Sequence, residues 1–124
     1  MASFDWTKPC AYNEPQKHRF HREAKKRLQQ LAEELFLPRH SYGIRSNKGG
    51  VGSAGEIILH GETLYVQVSQ PAAGGDNGVL IRTCQGRQDF RGGPNHFLPL
   101  SILDDIERLA GECHCVLSRK GGRP

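Results

Sequence analysis

Five side chains in the middle of the chain are of the types that cleave RNA through its 2′-hydroxyl group. They are Glu56, His60, Tyr65, Arg82 and His96. That reaction needs a carboxylate base, an arginine that stabilises a pentavalent phosphate and a histidine acid. The alternative is that these residues form the solvated outer face of an antiparallel sheet. Which of the two holds depends on how the strands pair.

A hairpin with the turn Gly61-Glu62 predicts that pairing. Glycine at the first central position favours a type II′ turn, which sets His60 opposite Thr63 and Glu56 opposite Gln67. One face of the ribbon is then the core face, made of Ile57, Leu59, Leu64, Val66 and Val68. The other face carries the polar candidates, and Arg82 joins them if the next strand continues the alternation. His96 follows at the end of a long polar loop.

In the order of their groups and in a helix-then-sheet layout, Glu56, Arg82 and His96 resemble the small microbial ribonucleases of the barnase and T1 types. The resemblance implies a metal-independent ribonuclease with Glu56 as the base and His96 as the acid. It is a resemblance of layout, because no sequence motif of those families is present.

Positive charge is concentrated in the first predicted helix, residues 14 to about 35. Residues 17–27 hold six cations and one acid, a net charge of +5, whereas the whole 124-residue chain carries +4. Cations near a helix N-terminus oppose the helix dipole, which suggests an anionic partner. The predicted contact residues are Lys17, His18, His21, Arg22, Lys25 and Lys26, extended by Arg87 and Arg91 of the long loop. The alternative is an ordinary solvated face.

The same helix has clear boundaries and an apolar stripe. Asn13 is placed as the N-cap, Pro15 lies in the first turn and Pro38 ends the helix. The predicted core stripe is Phe20, Ala24, Leu28, Leu31 and Leu35, and the side chains expected on the opposite side are Lys17, His18, His21, Arg22, Lys25 and Gln29.

We expect an α+β fold in which this long helix packs on an antiparallel sheet of three to five strands, followed by a short C-terminal helix. The predicted strands are residues 41–46, 55–60, 63–69 and 78–84, with 112–118 as a further edge strand. The last helix is predicted from Ser101 to about Ala110, with Gly111 as its end. Residues 1–118 form one domain with an irregular arm at 1–12, and 119–124 form a basic, disordered tail.

Two short motifs have alternative interpretations. The string Lys48-Gly49-Gly50-Val51-Gly52 resembles the opening of the phosphate-binding loop of ParA-like ATPases, a family in which Lys-Ser/Thr and then a helix follow. Cys113-His114-Cys115 could bind zinc, but structural zinc sites favour a wider cysteine spacing. We expect ordinary reduced thiols and a glycine turn, and therefore no metal and no cofactor.

The remaining sequence features concern the cellular location of the protein and its resemblance to other proteins. No stretch has the length of a membrane span and residues 1–12 lack a signal-peptide core, so we expect a cytoplasmic protein that does not enter a membrane. Segments such as Tyr42 to Gly50 and Leu64 to Gln70 resemble small uncharacterised bacterial proteins, some from phages and other mobile elements. The order of elements is also that of the double-stranded-RNA-binding domain, although Ile102-Leu103-Asp104-Asp105 is acidic where that family has lysines.

The sequence thus favours a non-enzymatic protein that binds nucleic acid or an acidic protein surface through its basic helix. A mobile-element inhibitor of a host nuclease would fit the same features. The metal-independent ribonuclease is the alternative.

Overall fold

The computed structural model of the chain describes residues 4–50, 52–70, 77–86 and 93–121. The helices are α1 (Glu14–Glu34) and α2 (Ile106–Gly121), with short 3₁₀ turns at Arg39–Ser41 and Leu100–Asp104. The strands are β1 (Gly43–Asn47), β2 (Glu56–His60), β3 (Leu64–Val68), β4 (Val79–Thr83) and β5 (His96–Leu98).

The strands form one antiparallel sheet in the order β1-β2-β3-β4-β5. Helix α1 packs over β1 and β2, α2 packs over β4, and the two helices touch each other. The core lies between the helices and one face of the sheet, where Ile57, Leu59, Val66 and Ile81 are fully buried. The predicted α+β fold with a long N-terminal helix is therefore confirmed.

Local chemistry explains where α1 begins and ends. The Asn13 side chain accepts a hydrogen bond from the Gln16 backbone N–H at 3.1 Å, as an N-cap should. At the other end the N–H groups of Phe36 and Leu37 donate to the carbonyls of Glu33 and Ala32, which is a Schellman motif. This motif requires a left-handed residue, and Phe36 occupies that position with φ 57°. The predicted helix boundaries are confirmed.

The prediction of which α1 side chains face away from the core was wrong for two residues. Lys17 is 1% exposed and His21 is 3% exposed, so both lie on the buried side with Phe20, Ala24 and Leu28. Their spacing is consistent with this, since residues 17, 21, 24 and 28 follow the three- and four-residue steps of a single helix face. Residue type suggested the surface, whereas helical position placed them inside.

The predicted hairpin register was also wrong, by two residues. His60 pairs with Tyr65 and Leu59 with Val66, because Glu62 and Thr63 form the turn and the Gly61 N–H bonds the Leu64 carbonyl at 2.8 Å. Gly61 does not have the positive φ that a type II′ turn would require there. Because side chains alternate with a period of two, a shift of two residues leaves every side chain on its predicted face.

The C-terminal region departs most from the prediction. The predicted start at Ser101 was wrong, because Ser101 lies in the 3₁₀ turn and α2 begins at Ile106. Asp105 caps α2 by accepting from the Arg108 N–H at 3.2 Å, and the helix continues through Gly111. Leu109, Cys113 and Val116 form its buried stripe, so the predicted stop at Gly111 and the predicted strand at 112–118 were wrong. Helix α2 also includes residues 119–121 of the predicted tail, whereas residues 122–124 lie outside the described residues. Strand β5 was not predicted.

Candidate functional site

The exposed side of α1 carries a cluster of basic side chains that we call the basic stripe. Its members are His18, Arg19, Arg22, Lys25 and Lys26, all exposed. Arg19, Arg22, Lys25 and Lys26 form no ion pair with any residue that the structure describes. His18 lies 3.8 Å from Glu14 at the solvent surface. The neighbouring Arg27 is different, because it pairs with Asp104 at 3.5 Å.

Lys17, a predicted contact residue, instead holds a loop in place. Its Nζ atom donates to the Gly50 carbonyl oxygen at 3.2 Å and lies 3.5 Å from the Glu14 carboxylate. Gly50 belongs to a segment that we call the glycine loop, residues 48–50 and 52–55. A buried ammonium group needs such partners, because burial without them is strongly unfavourable. Lys17 is therefore a positioning residue rather than part of the exposed surface.

His21 binds the other end of the same loop. Its Nε2 atom lies 2.7 Å from the Ala54 carbonyl oxygen and its Nδ1 atom lies 2.7 Å from the Ser46 hydroxyl oxygen. Since a carbonyl can only accept, Nε2 carries the proton and donates, and the Ser46 hydroxyl donates to Nδ1. Burial lowers the pKa of His21 below its ordinary value, and the nearby Lys48 and Lys17 cations lower it further. His21 is thus a neutral structural group at neutral pH.

The glycine loop needs glycine at specific points. Gly49, Gly52 and Gly55 have φ values of 65°, 83° and 74°, which L side chains rarely adopt. A Cβ atom on Gly55 would clash with the Asn47 carbonyl oxygen, and one on Gly52 would lie 3.0 Å from the Tyr12 hydroxyl oxygen. The loop leads into strand β2 rather than into a helix, so its resemblance to an ATPase phosphate-binding loop does not extend to the structure.

The outer face of the sheet, which no described helix covers, brings together four of the five catalytic candidates. His60, Tyr65 and Arg82 form one row across β2, β3 and β4, and Glu56 lies farther along β2 on the same face. The His60 and Tyr65 rings meet edge to face at 5.1 Å, and the Arg82 guanidinium lies 4.0 Å above the Tyr65 ring. Burial raises the pKa of Tyr65. Three of the groups therefore pack on one another.

The fifth candidate, His96, is on the opposite face. It pairs with Ile81 in the β4–β5 ladder, and Ile81 points into the core between the sheet and the helices. His60 cannot readily replace it as an acid, because it is buried and its Nε2 donates to the Gly86 carbonyl at 3.1 Å. The structure therefore does not assemble the predicted carboxylate, arginine and histidine acid. A shallow depression of about 470 Å³ lies beside Tyr65 on this face and is bordered by Arg45, Asn47 and Glu56.

The remaining predicted residues are two arginines of the long loop and two cysteines near the C-terminus. Arg87 and Arg91 lie outside the described residues, so their predicted contact role stays a prediction. Cys113 is buried in α2, where burial raises its pKa to about 12, whereas Cys115 is exposed. Among the described residues, no three His, Cys, Asp or Glu side chains lie close enough to hold a metal ion.

Sequence reasoning missed two contributors to the surface around α1. Arg19 was counted in the charge but not among the contact residues, although its spacing of three from Arg22 places the two side by side. Tyr12 was assigned only to the arm, and its position beside Gly52 depends on a contact across 40 residues of chain. Helical spacing could have identified Arg19, but no local signal identifies Tyr12.

Comparison with protein-family models, with curated proteins and with solved structures finds no match. None of the described helices combines the length and the apolar composition that crossing a membrane requires.

Proposed function

We propose that this chain is a non-enzymatic nucleic-acid-binding protein whose basic stripe contacts phosphate groups. The observation that carries the proposal is that Arg19, Arg22, Lys25 and Lys26 are all exposed, share one side of α1 and have no ion-pair partner among the described residues. Arg22 lies three or four residues from each of the other three. Like charges at that spacing destabilise a helix by about 0.2–0.5 kcal/mol per pair, and an anionic ligand would relieve this repulsion.

The dimensions of the stripe suit a nucleic-acid strand. From Arg19 to Lys26 the helix rises about 10 Å at ~1.5 Å per residue. One strand of duplex DNA presents a phosphate every ~3.4 Å along its axis, so about three phosphates face this length of helix. The number of cations and the number of phosphates are therefore comparable.

The composition of the stripe favours nucleic acid over an acidic protein surface. Between His18 and Lys26 the exposed side of α1 carries only charged and polar side chains. Protein–protein interfaces usually have an apolar, charge-depleted centre, whereas phosphate contacts are made mainly by arginine, lysine and polar groups. The stripe does not favour a nuclease inhibitor that occupies the enzyme's nucleic-acid channel, because such channels are themselves positively charged.

The proposal is tested by fluorescence anisotropy with labelled single strands and duplexes of about 16 nucleotides. The test variant is Arg22→Gln/Lys25→Gln/Lys26→Gln, and the matched control is Lys8→Gln/Arg39→Gln/Arg108→Gln, which removes three exposed cations outside α1. Three lost phosphate contacts should reduce the slope of log K against log salt by about 2 to 3. The control should keep the wild-type slope.

The test variant should unfold at or slightly above the wild-type temperature, since its replaced side chains are exposed and repel one another on α1. The control should unfold near the wild-type temperature, because its replaced side chains are also exposed. Equal losses of affinity in the test and control variants would show that only net charge matters, and would overturn the proposal. So would the absence of binding to every oligonucleotide at about 50 mM salt.

A further inference from the structure

The ring of Tyr12 stands in solvent directly before α1 and touches the glycine loop. The side chain is 86% exposed, and Tyr12 immediately precedes the N-cap Asn13. A Cβ atom on Gly52 would lie 3.0–3.3 Å from the hydroxyl end of the ring, so the close approach depends on glycine at that position. The loop therefore approaches the ring at its hydroxyl end, while 86% of the side chain remains exposed to solvent.

Buried side chains of α1 fix the loop that Tyr12 touches. Lys17 holds the Gly50 carbonyl and His21 holds the Ala54 carbonyl, at 3.2 and 2.7 Å. These two residues occupy the same turns of α1 as the outward-facing His18 and Arg22 of the basic stripe. The helix thus presents cations on its outer side and positions the glycine loop on its inner side.

Basic side chains lie on both elements that flank Tyr12, the glycine loop and the first turns of α1. Lys48 of the glycine loop is exposed and close enough to His21 to act on it electrostatically. His18 lies on the first turns of the helix that follows Tyr12, beside Glu14. Tyr12 therefore immediately precedes the N-cap of the helix that carries the basic stripe, and its ring approaches the loop that carries Lys48.

We infer that Tyr12 stacks on an unpaired base of a single-stranded nucleic acid whose phosphates lie along the basic stripe. The inference rests on the proposed function and adds that the ligand is single-stranded where it meets Tyr12. An aromatic face stacks on any base, whereas a base within a duplex is already stacked on its neighbours and out of reach. Unpaired DNA and unpaired RNA offer the same chemistry, so both are included in the test.

The test compares Tyr12→Ala with Phe36→Ala, which removes the other highly exposed ring flanking α1. The probes are DNA and RNA pyrimidine strands of about 16 nucleotides, a DNA strand of the same length that lacks bases, and a duplex. Loss of one stacked base should weaken binding of Tyr12→Ala to the base-containing strands by about five- to 150-fold. Binding to the duplex and to the strand without bases should not change, and Phe36→Ala should bind as the wild type does.

Tyr12→Trp supplies a direct readout of stacking. It should retain affinity, and its indole fluorescence should fall when a DNA or RNA strand binds, whichever sugar is preferred. The natural Trp6 is buried, so the wild type measures the constant background fluorescence that Trp6 contributes. The Tyr12 and Phe36 variants should keep the wild-type melting temperature, because both replaced rings are exposed.

The two proposals fail in different ways. If wild-type protein binds the strand with bases and the strand without bases equally well, and Tyr12→Ala changes neither, stacking is overturned while phosphate binding by the stripe stands. Absence of quenching in a Tyr12→Trp protein that binds also overturns stacking. If wild-type protein binds no probe at about 50 mM salt, both proposals are wrong.

Discussion

Replacing Phe36 by glycine should stabilise the protein, although it removes an aromatic side chain. Phe36 is the left-handed residue of the Schellman motif that ends α1, with φ 57°. An L-residue in this conformation costs about 1–2 kcal/mol, whereas glycine adopts it freely. The ring is 91% exposed, so its removal sacrifices almost no buried surface.

The net gain follows from two opposing terms. Relief of the left-handed strain contributes about 1–2 kcal/mol, and the greater freedom of glycine in the unfolded chain takes back about 0.5–1 kcal/mol. The free energy of unfolding should therefore rise by up to about 1.5 kcal/mol, with a central value of ~0.75 kcal/mol, which for a chain of this size raises Tm by about 3 °C. Urea unfolding and calorimetry measure the two quantities.

Phe36→Ala is the matched control, because it also removes the ring but leaves an L-residue at positive φ. It should not stabilise the protein, and it should unfold more readily than Phe36→Gly by about 1 kcal/mol. If the two variants have equal stability, or if Phe36→Gly is less stable than the wild type, then Phe36 does not carry left-handed strain and the reasoning fails.

Three further predictions concern His21, Gly55 and Gly111. The folded pKa of His21 is lowered, so the unfolded chain takes up its proton first as the pH falls. The contribution of His21 to the free energy of unfolding should be at its full value above the unfolded pKa of about 6.5. It should decline as the pH falls from there towards the folded pKa. In urea unfolding, His21→Gln should lose less stability between pH 7.5 and pH 5.5 than the wild type does. An unchanged pH dependence would contradict the assignment of His21 as a buried, neutral group. Gly55→Ala should destabilise the protein by more than about 1 kcal/mol, because its Cβ would clash with the Asn47 carbonyl oxygen at a positive φ. Gly111→Ala should instead stabilise it by about 0.5–1 kcal/mol, since Gly111 is exposed inside α2 with no atom near the new Cβ. A destabilising Gly111→Ala would indicate that α2 ends there, as the sequence had suggested.

The features that the sequence determines by itself depend on neighbours in the chain. The start of α1 is encoded by Asn13 and a backbone group three residues away, and the faces of β2 and β3 are encoded by alternation. That is why Glu56, His60 and Tyr65 share a face although the predicted register was wrong by two residues. A one-residue error would have separated the side chains from their predicted faces, but a two-residue error does not.

Other features were decided only by tertiary structure. Lys17 and His21 look like surface residues by type, yet they are buried because the fold brings polar atoms of the glycine loop to them from about 33 residues away. His96 looked like a catalytic partner, yet its pairing with Ile81 sends it to the helix side of the sheet. Gly111 looked like a helix end, yet the buried stripe of Leu109, Cys113 and Val116 carries α2 past it. At Gly111 the burial of the stripe outweighs a local preference of about 1 kcal/mol against glycine in a helix. In all three cases the deciding partners are distant in sequence, so they cannot be found from neighbouring residues in the chain.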